Sequence, residues 1–188
     1  MNAPIDISGI TLKTDRLILR PWRQEDLEDF YEYARVDGVG QMAGWLPHES
    51  KDVTQAILDS FTTNKKTFAL EFCGKVIGSL GIENYKEDEF PELEALQGRS
   101  IGYVLSKDYW GQGLMPEAVR AVQRYLFEKE NFVFLVISHY AFNRQSRRVI
   151  EKCGFQYLKT IQLNTRYNTV EDTLVYLLKK EDWKYAET

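Results

Sequence analysis

Ile101, Tyr103 and Leu105 alternate with Ser100, Gly102 and Ser106, the two-residue period of a strand over residues 100–106, blurred only by Val104 on the polar side. Farther along, the period changes. Ala118, Ala121, Val122, Tyr125 and Leu126 stand at i, i+3, i+4, i+7 and i+8, one apolar stripe of a helix running to residue 130. Pro116 suits the first helical position, where a missing N–H costs nothing. The two periods meet in Tyr109-Trp110-Gly111-Gln112-Gly113, a glycine-rich turn.

The remaining elements arrange themselves around this unit. Residues 14–20 read as a strand stopped by Pro21, and residues 24–35 as a helix with Leu27, Phe30, Tyr31 and Ala34 on one side. Ser50 is placed to cap a second helix in which Val53, Ile57 and Phe61 recur at four-residue intervals. Between the two helices, Gly38, Gly40 and Gly44 are mixed with Met42, Trp45 and Leu46. Two readings stand for this segment: its apolar side chains line a ligand pocket, or they cover the core. Residues 67–72 and 75–85 are strand-like and joined by Cys73-Gly74, a hairpin connection. Residues 87–98 are acidic, contain Pro91 and show no period, so they read as a loop.

The run from Phe132 to Ile137 is continuously apolar, the mark of a central strand buried on both faces. Asn143 is a natural N-cap for a short helix striped by Val149, Ile150 and Cys153. Gly154 sits where a left-handed residue ends such a helix, and Phe155 can fold back on its last turn. Residues 172–180 alternate enough for a last strand, and Glu181-Asp182-Trp183 closes the domain. The expectation is one α/β domain over residues 1–188. It has a mixed, mostly antiparallel sheet of about seven strands and helices on both faces.

Composition narrows the function classes. Lys and Arg total 24 against 28 Asp and Glu, a net charge of −4, which argues against a general nucleic-acid binder with its basic face. The balance is compatible with an amine substrate, although ordinary solubility explains it as well. With 44% apolar and 13% aromatic residues, the 188-residue chain is long enough to bury a full core. Cys73, Cys153, His48 and His139 fall in no metal-ligand spacing, so no metal is expected. No basic stretch followed by an apolar run opens the chain, and no stretch approaches 18 continuous apolar residues. A cytoplasmic protein with reduced thiols and no membrane partner is expected, as monomer or homodimer.

The chemistry starts at the glycine turn. Glycines just before a helix let backbone approach a ligand, and the free N–H groups and helix dipole there favour phosphate; a plain tight turn could use the same glycines. A dinucleotide fingerprint is excluded because its third glycine position is Pro116, and a P-loop because no Gly-Lys precedes Ser or Thr. The turn instead resembles the acetyl-CoA loop of GNAT acyltransferases, Arg/Gln-x-x-Gly-x-Gly/Ala, with Trp110 in the first place and Met115 in the last. Tyr-Trp-Gly-x-Gly followed by Glu117-Ala118 resembles the ribosomal-protein N-acetyltransferase branch more specifically. Asn143-x-x-Ser146 and then Glu151-Lys152-x-Gly154-Phe155 resemble that family's second cofactor motif.

The resemblance implies a sheet splayed at the cofactor site and transfer of acetyl from acetyl-CoA to a primary amine, on a protein N-terminus or a small molecule. Backbone N–H groups of Gly111, Gln112, Gly113, Leu114 and Met115 would hold the pyrophosphate. The pantetheine arm would pair with backbone near Val104 and Leu105 as an added strand. Asn143 would bond the arm, or serve only as a cap. Ser146 would protonate the leaving thiolate, or be only a first-turn polar residue. The Glu that many relatives carry at the start of the strand before the glycine turn is Ser100 here. Glu83 is the first replacement, with Glu92 and Glu94 as loop candidates; a water chain or an amine arriving neutral would also serve. The vacancy at Ser100 keeps a second reading open, a non-catalytic acyl-CoA-binding or regulatory module.

Overall fold

The computed structural model describes residues 1–183. Its centre is one eight-stranded sheet in the order β1-β2-β3-β4-β5-β6-β8-β7. The strands are β1 (Leu12–Lys13), β2 (Leu17–Pro21), β3 (Thr67–Phe72), β4 (Lys75–Glu83), β5 (Gly98–Leu105), β6 (Phe134–Tyr140), β7 (Gln156–Asn164) and β8 (Val170–Lys179). Every neighbouring pair is antiparallel except β5 with β6. The mixed, mostly antiparallel sheet is as expected, but with eight strands rather than about seven. The unforeseen ones are two-residue β1 and edge strand β7, whose side chains are largely exposed and carry little apolar pattern.

Helices cover both faces. Helices α1 (Leu27–Ala34) and α2 (Lys51–Asn64) pack Phe30, Tyr33, Ala34 and Leu58 against Ala69 and Val76. On the other face lies α3 (Leu114–Arg124), extended by a π-helical turn at Tyr125–Lys129, beside α4 (Arg144–Lys152). There Ala118, Val119, Val122, Leu126, Ile150 and Cys153 meet Leu80, Ile82, Ile101 and Ile137. Ser50 caps α2 through Val53 N–H at 3.3 Å, as expected. Thr54 and Leu58 are the helix's fully buried positions, Ile57 and Phe61 of the expected stripe pack half-buried against the same core, and Val53 alone of the three is exposed. The acidic segment at 87–98 forms two short 3₁₀ turns instead of a plain loop. Its Phe90 and Leu93 pack with Phe134 and Val136 in one small core cluster. Among the described residues no helix is long and apolar enough to cross a membrane.

One feature of this sheet creates space. β5 and β6 pair only from Gly98↔Phe134 to Ile101↔Ile137 and then part. Beyond that point the two strands diverge around a cleft of about 500 Å³.

Candidate active site

The glycine turn stands at one mouth of the cleft. Gly111 and Gly113 both have φ of +77°, a left-handed conformation that side chains with a Cβ resist. α3 begins at Leu114, two residues before the expected start, so Pro116 lies within the first turn rather than opening it. That first turn still wastes nothing on proline, because its N–H groups have no intrahelical acceptors. Gly113 is the N-cap and offers no side-chain acceptor. Among the described residues none of the N–H groups of residues 111–115 donates to a turn carbonyl or a side chain. Loop and helix start thus leave a row of donors at the cleft.

The outside of the turn is braced by a carboxylate. Glu117 accepts from Thr14 Oγ1 at 2.5 Å, Arg16 N at 2.9 Å and Arg16 Nε at 2.8 Å, while Arg16 Nη1 donates to Gln112 O at 2.9 Å. Burial alone would raise the Glu117 carboxyl. The bonds from Thr14 and Arg16 outweigh it and hold the group below the usual carboxylate range. Arg148 and Lys152, one turn apart on α4, add positive charge to the same mouth, and sequence reasoning had passed over both.

The strand edge can be read from the register. Ser106 N donates to Ile77 O, and the alternation of an antiparallel pair then turns the polar groups of Ser100, Gly102 and Val104 toward β4. Those of Tyr103 and Leu105 face the gap, but Leu105 O already accepts from Trp110 Nε1 at 2.8 Å. The expected edge at Val104 and Leu105 is therefore corrected. Val104 is committed to the sheet, and Tyr103 with the Leu105 N–H takes its place.

Asn143 and Ser146 come to the same cleft from α4. Asn143 Oδ1 accepts from Ser146 N at 3.0 Å, the expected cap, and its Nδ2 donates to Met42 O at 3.0 Å. The segment between α1 and α2 answers both earlier readings of it. Val39 is buried in the core and borders the cleft as well, where Met42 and Ala43 join it, while Trp45 packs half-buried against the core. Arg166 N to Gly44 O at 2.9 Å ties this segment to the β7–β8 turn as well. Ser146 Oγ lies 2.9 Å from Tyr103 Oη. Cys153 is buried under α3 with its thiol pushed up to about 12 by burial, which keeps it protonated near neutral pH.

At the other end Glu83 is the cross-strand partner of Ser100, and both line the cleft. Lys66 Nζ bonds Glu83 Oε2 at 2.5 Å. A Cβ added to Gly81 would lie 2.7 Å from Glu83 Oε1, so the carboxylate folds back over that glycine. Gly81 in turn pairs with Gly102, where an added Cβ would meet nothing within 4 Å. Gly102, bare on the cleft side, thus makes a flat floor beside the carboxylate. Glu92 and Glu94 are exposed and outside the cleft, and they drop out as candidate bases. His139 also lines the cleft. Burial lowers its pKa, and its ring nitrogens lie 2.8 Å from Tyr140 O and 3.2 Å from Tyr176 Oη. Among the described residues no group of three or more His, Cys, Asp or Glu is placed to hold a metal ion.

Residues 16–156, well over half of the chain, match the acetyltransferase (GNAT) domain. The chain belongs to the GNAT acetyltransferase family. The chain is 29% identical over 177 residues to the uncharacterized N-acetyltransferase YoaA of Bacillus subtilis, covering 90% of this chain and 96% of that one. It spans about half the length of several other curated relatives that it matches. Its fold is that of a GNAT-family acetyltransferase from Bacillus anthracis, with a TM-score of 0.80 at 20% identity over 92% of this chain and 99% of that one. The ribosomal-protein-S5-alanine acetyltransferase of Vibrio fischeri is similar at a TM-score of 0.71 and 20% identity, covering 94% and 100%.

Gly102 supplies a test of whether an amine acceptor binds at the Glu83 end of the cleft. Its φ is not left-handed, and valine suits a strand, so Gly102→Val should fold normally. The isopropyl group would occupy the floor beside Glu83. We expect acetyl-CoA affinity to stay within about twofold while kcat/KM for the amine falls roughly tenfold or more, the scale set by a misfit of a few methyl groups in a pocket. Unchanged kcat/KM would place the acceptor elsewhere.

Proposed function

We propose that this member of the GNAT family transfers acetyl from acetyl-CoA to a primary amine by direct attack, both substrates being bound at once. The observation that carries the reading is the parting of β5 and β6 after Ile101 and Ile137, which opens one cleft with chemically different ends. One end offers unpartnered N–H groups at a helix start, with Arg148 and Lys152 beside them, suited to the pyrophosphate. The exposed strand edge at Tyr103 and Leu105 can add an amide-bearing pantetheine arm as a further strand. The other end holds Glu83 over the glycine floor, suited to a cationic amine.

Acetyl-CoA supplies an acyl group already activated as a thioester, so the chain's task is positioning, amine deprotonation and care of the leaving group. Glu83 receives the proton that the amine must lose, and Ser146 offers its hydroxyl proton to the departing thiolate. A bond forms between the amine nitrogen and the acetyl carbon as the carbon–sulfur bond breaks. Solvent at the open cleft mouths then takes the proton from Glu83 and returns one to Ser146. The acceptor is the N-terminus of a protein or a small-molecule amine. A panel of peptides and small amines, followed by release of free CoA thiol, tests the reading. Acetyl-CoA-dependent thiol release with at least one acceptor is the expected result. Tight acetyl-CoA binding without turnover on any acceptor would leave the non-catalytic acyl-CoA module.

A further inference from the structure

We infer that Tyr103 is a positioning residue for Ser146: its phenol donates a hydrogen bond to Ser146 Oγ and so turns the serine's own proton toward the cleft. The inference rests on the reading of Ser146 as the group serving the leaving thiolate.

Geometry carries the argument. A serine in the first turns of a helix commonly returns its hydroxyl to a carbonyl one turn back. Ser146 Oγ instead stands 2.9 Å from Tyr103 Oη, across the join between α4 and β5. The same Oη is 3.2 Å from Ser146 O. Each hydroxyl holds one proton, so two arrangements compete. If Tyr103 donates to the carbonyl, Ser146 spends its proton on Oη and has none for the cleft. If Tyr103 donates to Oγ, the serine proton is free to point at a ligand.

Two facts favour the second. The Oγ contact is the shorter, and Ser146 O, four residues before Ile150 in α4, is in position to accept within the helix. Phenol is also the stronger donor of the two hydroxyls, and accepting its bond polarises the serine O–H further. Burial raises the phenol's pKa, so Tyr103 keeps its proton across the working pH range. Tyr103 also borders the strand gap, so one residue presents backbone to the cofactor arm and hydroxyl to the serine.

The test is a double-mutant cycle in steady-state kinetics with one good amine. Ser146→Ala should lower kcat by about 10²-fold, as loss of a proton donor does. Tyr103→Phe removes only the hydroxyl and keeps the ring in place. It should lower kcat roughly five- to tenfold, the worth of one hydrogen bond, with KM for acetyl-CoA within about twofold. The double variant should match Ser146→Ala alone, because Tyr103 acts only through Oγ. Parent-like kcat in Tyr103→Phe beside a damaged Ser146→Ala would overturn the role of Tyr103 and leave that of Ser146 standing. An equal loss from Tyr103→Phe in both backgrounds would also overturn it, since the phenol would then act independently. Parent-like kcat in Ser146→Ala would remove both roles.

Discussion

Glu83→Gln should lower kcat/KM for the amine by about 10²-fold or more while leaving acetyl-CoA affinity unchanged, the size expected when a general base is lost. Glutamine keeps the length and one oxygen of the side chain but cannot take a proton. Glu83 stands opposite Ser100, and its Oε1 is held over Gly81 while Lys66 bonds Oε2, so the carboxylate is steered rather than free. Breaking the Lys66 pair is a small stability matter, because Glu83's side chain is 45% exposed and such pairs contribute little. A drop confined to amine kcat/KM, with unchanged calorimetric affinity for acetyl-CoA, supports the assignment. Full activity in the variant would move proton removal to water or to an amine that arrives neutral.

Gly113→Val should weaken acetyl-CoA binding by well over tenfold. Gly113 has φ of +77°, where a β-branched residue is strained by about 1–2 kcal/mol or more. That strain is local and small beside a folding stability of about 5–15 kcal/mol, so the protein should remain folded. Space is not the obstacle within the chain, since an added Cβ would meet only Arg16 Nη2 at 3.6 Å. The harm falls on the direction of the N–H groups at the start of α3 and on the approach of phosphate oxygens. Titration calorimetry on a variant with a native-like circular dichroism spectrum would decide it. Unchanged affinity would remove residues 111–115 from the cofactor site.

Several features of the site were legible because they are local. Gly111 and Gly113 sit immediately before an apolar stripe of helical period, and backbone conformation at such a turn depends on the turn's own residues. Asn143 and Gly154 bracket a short helix in the same way, and the cap on Ser146 N–H is made within four residues. The mixed sheet followed from strand periods, and the unbroken apolar run at 132–137 marked a buried central strand, although β6 itself begins at Phe134.

What the sequence could not settle depends on pairings between distant segments. Glu83, Glu92 and Glu94 are alike as residues; only the register of β4 on β5 puts the first across from Ser100 and leaves the others outside the cleft. The same register commits Val104 to β4 and turns Tyr103 to the gap. β7 escaped notice because an edge strand buries little and needs no apolar rhythm. Tyr103 read as one more core position of an alternating strand, and nothing local could show that α4 would bring Ser146 Oγ to 2.9 Å from its hydroxyl. Periodicity determined which residues face inward, because burial repeats with the geometry of each element. Tertiary structure decided which of those residues meet, because register and the parting of β5 from β6 are properties of two strands together and of neither alone.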